Sequence, residues 1–285
     1  QEGCTNFCTY CIVPYTRGPL RSRRPENVLA AAEEIVAAGY KEIVLTGIQT
    51  GAYGQDLGQD LNLAVLLRAL SGIPGLLRIR LSSIEPNDIT PELVEVLSGL
   101  KKFCRHLHIP LQSGDDEILR RMGRRYSTWE YSRMVEVLRE NLPGLGLTTD
   151  VIAGFPGESQ SNYRNTLRNI EKVSFSGLHV FKFSPRRGTP AAGFEEQIQP
   201  RVKEQRSRKL IELGEELAAR FAVSLLGQEL DVLVEQRVGE EGSLYEGLTG
   251  NYVRVIFPAR EELRGEVVRV KMSELAGTAL KGNMI

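Results

Sequence analysis

The sequence predicts an α/β protein, a partial six-stranded (β/α) barrel followed by a small antiparallel β-barrel. Three observations carry this. Short apolar runs alternate with amphipathic helical segments from residue 26 to about residue 183, the pattern of strands laid parallel by intervening helices. Beyond Gly227 the text changes to alternating strands separated by glycines and charges, as in a small barrel. The residues that end the parallel strands are polar or glycine-rich, and the ends of barrel strands are where ligands bind.

The elements follow in order. Val28, Leu29, Ala32, Ile35 and Val36 recur at helical spacing over 26–38, and Gly39 stands where a C-terminal glycine cap belongs. Residues 41–46 form an apolar run before Gly47, a buried strand. Leu63, Leu66, Leu67 and Leu70 mark one face of a helix over 60–71, and 77–83 is a strand. Thr90 caps a helix with Pro91 in its first turn. A strand over 106–111 precedes a helix over 127–141, where Ser127 and Glu130 have capping-box spacing. Strands over 145–153 and 177–183 flank a helix over 159–172. That makes five parallel strands; a sixth is expected ahead of Gly3, because a loop of the kind that opens this chain normally follows a strand. The chain therefore reads as a piece of a longer protein.

Residues 201–220 are charged and helical, with a narrow stripe of Leu210, Leu213 and Leu217. Strands follow over 229–235, 244–247, 252–257 and 266–272. We assign 1–200 to the barrel, 201–220 to a linking helix and 221–285 to the second domain. The 285 residues suit one large and one small unit. Basic and acidic residues both number 36, so any nucleic-acid surface has to be local. No apolar run approaches the roughly 20 residues that span a bilayer. With no signal peptide visible and three cysteines in a reduced motif, a cytoplasmic monomer without membrane contact is expected.

The chemistry concentrates at the start. Cys4, Cys8 and Cys11 are spaced C-x3-C-x2-C. Three thiolates on one short loop suit one face of an iron–sulfur cluster with one iron left open. A structural zinc wants a fourth ligand, and none is near in the sequence. A disulfide would leave one sulfur over; redox-active or unpaired thiols remain the alternative. A basic segment with Arg17, Arg21, Arg23 and Arg24 follows, either a solvated loop or a phosphate-binding patch. Cys104 is alone among apolar residues and reads as buried structure.

The text GCTNFCTYC followed by IVPYTRG resembles the radical S-adenosylmethionine (radical SAM) superfamily, and within it the methylthiotransferases. The resemblance implies a [4Fe-4S] cluster on the three cysteines whose open iron chelates SAM, with Tyr10 packed against cluster or adenine. It places SAM-binding backbone and side chains at the strand ends: Gly47 and Gln49 in TGIQTGAYG, Ser83 and Glu85 in SSIEP, Gln112 in HIPLQSG, Asp150 and Ile152 in TDVIAGFPGE. Arg125, or its neighbour Arg124, would pair with the SAM carboxylate. His108, on an apolar strand, reads as a satisfied buried histidine. The tail, including EGLTGNY at 246–252, resembles the TRAM domain of tRNA-modifying enzymes, an OB-like unit that grips RNA. It holds eight basic and ten acidic residues from Arg220 onward, so RNA contacts there come from a small face, with Tyr252, Arg254 and Lys271 as candidates. TGIQTGAYG and the tail most resemble the branch acting on C2 of N6-threonylcarbamoyladenosine beside the tRNA anticodon. Related branches act on isopentenyladenosine or on a ribosomal-protein aspartate, and a non-catalytic RNA-binding module is the reading from another class. The family resemblance further implies the anticodon stem-loop as partner and an electron donor such as flavodoxin or ferredoxin. It also implies a separate N-terminal domain, with a second cluster, for sulfur insertion.

Overall fold

Two parallel sheets form one curved wall in the computed structural model, which describes residues 1–58, 60–239 and 244–285. The first sheet pairs β1 (Glu42–Leu45) with β2 (Arg78–Leu81); the second runs β3 (His106–His108), β4 (Gly146–Ala153), β5 (Gly177–Lys182). Backbone bonds join them: Ile79 N–H donates to Lys102 O at 2.7 Å, Cys104 N–H to Ile79 O at 2.8 Å, and Ile84 N–H to His108 O at 2.9 Å. The result is a five-stranded partial barrel, and among the described residues β1 and β5 are not paired. The sixth strand is not among them. Gln1 instead lies at the end of β1, with its amino group donating to Thr46 O at 3.2 Å and Ile48 N–H donating to Gln1 O at 3.2 Å, while Glu2 bridges to Arg21.

The helices are α1 (Val13–Arg17), α2 (Pro25–Ala37), α3 (Leu63–Ser71), α4 (Pro91–Gly99), α5 (Asp116–Arg121), α6 (Thr128–Asn141), α7 (Gln160–Val173) and α8 (Pro200–Val223). Their caps satisfy amides that a helix start leaves unpaired. Thr90 accepts from Leu93 N–H, while Ser127 with Glu130 and Ser159 with Asn162 form reciprocal boxes. Apolar faces of α3, α4, α6 and α7 close on the strands around Leu67, Leu70, Ile79, Leu107, Val151 and Ile170, all fully buried. The helix expected as a linker is packed on the barrel: Leu210 and Leu217 join its core, and Gly214 sits so close to β5 that an added Cβ would stand 3.1 Å from that of Leu178. None of the helices is long and apolar enough to cross a membrane, among the described residues.

The second domain is a closed barrel in the order β10 (Ala279–Met284), β8 (Arg254–Pro258), β7 (Leu244–Thr249), β6 (Glu229–Val238), β9 (Val267–Ala276). Closure corrects one expectation, since β10 pairs parallel with β8 while the other pairs are antiparallel. The sequence reading also stopped short of β10, which Gly282 interrupts at a register shift where a Cβ would lie 2.4 Å from a Val270 methyl.

The turn after β7 plugs the lower end of the partial barrel. Arg78 and Arg80, both buried, point from β2 into that end and share the Glu42 carboxylate at 2.6 and 2.8 Å. Their remaining donors reach across the junction, Arg78 to Leu248 O at 3.0 Å, Arg80 to Thr249 O at 3.2 Å and Gly250 O at 3.3 Å. Tyr252 stacks on His106 with ring centroids 4.4 Å apart and lies beneath the Arg80 guanidinium. One face of Tyr252, expected toward RNA, is thus spent on the domain junction, because a strained turn (φ 69°) aims it inward. Gly146, which starts β4, lies so near that an added Cβ would stand 2.2 Å from Asn251 O. Gly146→Ala is therefore expected to force the domains apart at a cost of about 1–3 kcal/mol, read as a lower melting temperature and faster proteolysis between α8 and β6.

Candidate functional site

The cysteine loop hangs across the upper end of the barrel on backbone bonds. Cys4 N–H donates to Gly18 O at 3.2 Å, and Cys11 N–H turns back to Cys8 O at 3.0 Å. Thr9 is the anchor: its N–H and hydroxyl donate to Met122 O and Arg121 O at 2.9 and 2.8 Å, and its carbonyl accepts from Ala191 N–H at 2.8 Å. Behind the loop, Tyr10 and Ile152 pack against Met122, Phe155 and Phe183. All three thiols are free, Cys8 buried and the others half-buried. The three sulfurs are not gathered within 4.8 Å of one another, as a single ion would require; a four-iron cube spreads its ligands wider. Burial pushes the Cys4 and Cys11 thiols up, so their deprotonation calls for a cationic centre close by. The donor set fits an iron–sulfur cluster. Cys104 belongs elsewhere, its sulfur 3.4 Å from Arg78 Nε at the barrel's lower end.

Beside Cys8 lies a small polar cleft lined by Asn6, Gln49, Glu85, Asp88 and Arg124. Arg124 is its centre. The guanidinium is buried, stands 3.4 Å from Cys8 Sγ, pairs with Glu85, and donates from Nε to Tyr126 OH at 3.0 Å. Tyr126 OH in turn contacts Pro110 O and Leu111 O, both at 3.0 Å, which fixes the ring. The turn at Gly123 (φ 75°) swings Arg124 inward and leaves Arg125 exposed at the rim. Arg125 was the sequence's first choice of the pair; the positive-φ glycine was the signal that decides between them. Gln49 is buried, donates to Asp88 at 3.4 Å, and its Oε1 has no partner among the described residues. Gly47 allows the backbone at this strand end to approach Gln1, since a Cβ would meet its side chain at 3.0 Å. Gln112 takes left-handed backbone (φ 63°) and exchanges backbone bonds of 2.8 and 2.9 Å with Asp150 and Ile152, extending the sheet past β3.

A second cavity, of about 370 Å³, lies deeper in the barrel, lined by Arg80, Ser83, His106, His108, Asp150, His179 and Tyr252 among others. Ser83 therefore faces this cavity while Glu85, two residues on, faces the cleft. Asp150, expected beside the SAM adenine, is here instead, held by His108 Nε2 at 3.2 Å and His179 Nδ1 at 3.5 Å. The reason is register: Asp150 opposes His179 across β4 and β5. Burial opposes its ionisation, yet the hydrogen bonds from both histidines outweigh that and hold the carboxyl well below the usual range. Asp150 in turn raises His179. Thr148 Oγ1 bonds both His106 Nε2 and His108 Nδ1 at 2.9 Å, which fixes the rings. Burial, with Arg80 nearby, lowers His106 to about 3 and keeps it neutral.

The radical SAM superfamily model matches residues 1–170, well over half of the chain. The chain belongs to the radical SAM superfamily. It is 46% identical over 275 residues to the threonylcarbamoyladenosine tRNA methylthiotransferase MtaB of Bacillus subtilis, covering 95% of this chain and 61% of that protein. It is 42% identical over 283 residues to a tRNA-2-methylthio-N(6)-dimethylallyladenosine synthase of Moorella thermoacetica, covering 99% and 64%. The chain thus spans about three fifths of the length of these relatives. Coproporphyrinogen III oxidase of Escherichia coli, a radical SAM enzyme, superposes with a TM-score of 0.55 at 13% identity, over 88% of this chain and 65% of that one. That likeness speaks for the fold alone.

The basic residues chosen as RNA contacts fall in two places. Arg17, Arg23 and Arg24 are exposed beside the cysteine loop, and Arg21 is paired with Glu2. Arg254 is drawn to Glu246 at 3.1 Å, and Lys271 is exposed on β9. The sequence reading held Arg124 only as the alternative to Arg125, and it missed Tyr126 as its support, His179, and Asp88.

Asp88 yields a pH signature. Burial raises its carboxyl to about 6, with Gln49 partly opposing and Glu85 adding to the shift. A carboxyl raised on folding contributes stability below its unfolded value and loses it as pH climbs through about 6. Asp88→Asn is expected to gain on the order of 1–2 kcal/mol over wild type at neutral pH, with the difference vanishing near pH 4 in paired thermal melts.

Proposed function

We propose that this chain is the SAM-binding and RNA-binding part of a tRNA methylthiotransferase, a sulfur-transferring enzyme that modifies C2 of N6-threonylcarbamoyladenosine beside the anticodon. The observation that carries this is the cysteine loop itself, three unpaired thiols of which Cys8 opens onto a cleft built around Arg124. Cys4, Cys8 and Cys11 would hold a [4Fe-4S] cluster, and Gln49, Glu85, Asp88 and Arg124 would hold SAM. When bound, the pair supplies one-electron chemistry that removes hydrogen from an unactivated carbon. The chain's own residues do the rest. Arg124, 3.4 Å from Cys8 Sγ, would offset negative charge brought there by a cluster. The unpartnered Gln49 Oε1 and the adjoining carboxylates accept from an ammonium. Tyr10, Ile152 and Phe155 keep water from the rear of the loop.

Threonylcarbamoyladenosine is favoured over isopentenyladenosine by the polar lining of the deeper cavity. Arg80, Ser83 and the unpartnered Nδ1 of His106 in that lining suit a carboxylate- and hydroxyl-bearing substituent better than a hydrocarbon tail, which gains only from apolar walls. The higher identity to the Bacillus relative supports the same choice. The anticodon stem-loop is the expected partner, with the arginines near the cysteine loop meeting phosphates, a flavodoxin or ferredoxin supplying the electron, and the cytoplasm as its setting.

Anaerobic reconstitution with iron and sulfide tests this directly. Wild type should turn brown and, once given a strong one-electron reductant such as dithionite, release methionine and 5′-deoxyadenosine from SAM, whereas Cys8→Ala should yield at least about a hundredfold less; equal product from the two would refute the proposal. Nucleoside mass spectrometry of tRNA treated with the full-length enzyme should find the methylthio mass gain on threonylcarbamoyladenosine. A gain on isopentenyladenosine would reassign the substrate.

A further inference from the structure

The His108, Asp150 and His179 cluster has no role in the SAM cleft, and its geometry asks for a ligand. Both histidines approach the same oxygen, Oδ1 of Asp150. Oδ2 has no partner among the described residues and remains an open acceptor at the cavity wall. His179 reaches Asp150 through Nδ1, which leaves Nε2 free, and its side chain is 58% exposed while lining the cavity. An acceptor and a donor thus stand side by side, held by a ring stack of 5.1 Å between His108 and His179 and by the Thr148 hydroxyl. The cavity volume of about 370 Å³ falls within the roughly 300–1,000 Å³ of small-ligand sites.

We infer that this cluster is the binding site for the target adenine, extruded from the RNA loop, with Asp150 accepting its N6–H and His179 Nε2 donating to its N7. This rests on the proposed action on a tRNA adenosine. Adenine presents N6–H as donor and N7 as acceptor along one edge, the complement of this pair. Enzymes that act on a base take it out of the stack and read it through its polar edges. Orientation follows from the ring. With N6 and N7 held deep in the barrel, C2 lies on the opposite side of the purine and faces upward. Ser83 lines the cavity and Glu85 the SAM cleft, two residues and about 7 Å apart along the chain, so C2 is delivered toward the cleft. Asp150 and His179 are base-binding residues in this arrangement, and His108 positions Asp150.

The test is a titration of the reconstituted chain with a labelled anticodon stem-loop carrying threonylcarbamoyladenosine, alongside one carrying its 7-deaza analogue, which lacks the N7 acceptor. Wild type should bind the analogue about tenfold more weakly. His179→Ala should lose about the same factor on the natural base and lose nothing further on the analogue. Asp150→Ala should weaken binding by about tenfold or more, with SAM affinity by equilibrium dialysis unchanged for both variants. Because His179 is half-exposed, its variant keeps the test valid should Asp150→Ala fold poorly. Independent, additive losses from His179→Ala and the 7-deaza base overturn the inference, as does unchanged RNA binding in both variants. Stoichiometric zinc in wild type that vanishes in Asp150→Ala, without any change in RNA binding, overturns it in favour of a metal site on the same three ligands. Wild type that binds no stem-loop overturns the tRNA reading and the inference together.

Discussion

The lower end of the barrel is held by a charge cluster that only the second domain completes. Two arginines on one short strand are buried against a single carboxylate, which leaves a formal excess of positive charge in a region of low polarity. The carbonyls of residues 248–250 supply the missing acceptors. Removing one partner from such a network costs about 3–5 kcal/mol, because the others stay buried without it. The docking of the C-terminal barrel is therefore a condition of the larger domain's own electrostatics. Tyr252, stacked on His106 and under Arg80, seals the same junction and sets the floor of the deeper cavity.

This arrangement divides the barrel by height. The floor is structural and charge-paired, the middle presents Asp150 with its two histidines, and the top carries the cysteine loop and Arg124. The division follows the rule that barrel chemistry sits at the carboxyl ends of the strands while the opposite end serves stability. The second domain packs across this floor, and the cleft and the deeper cavity lie above it.

Much of the fold was legible in the sequence because its signals are local. Capping at Thr90 and Ser127, the leucine spacing of α3 and the apolar strand runs each act within a few residues, and each formed where expected. The cysteine loop was legible for the same reason, since its ligands are contiguous. What stayed hidden depends on distance in sequence. The choice between Arg124 and Arg125 rests on one backbone angle at Gly123. The company kept by Asp150 rests on the register of β4 against β5, and the inward face of Tyr252 on a contact with a strand well over a hundred residues earlier. The packing of α8 against β5 shows the same limit, since its narrow stripe is compatible with a linker until Gly214 is seen against Leu178.

The gap between β1 and β5 has a further consequence. Near the Gln1 contacts the end of β1 is occupied, but the outer edge of β5 carries no strand partner among the described residues. A row of unpaired amides and carbonyls is a template for any extended segment. Exposed Phe181 and the Lys182–Glu204 pair stand along it, one inviting an added strand and the other discouraging it. Among the described residues the edge of β5 is therefore the place on this sheet where a further extended segment would add.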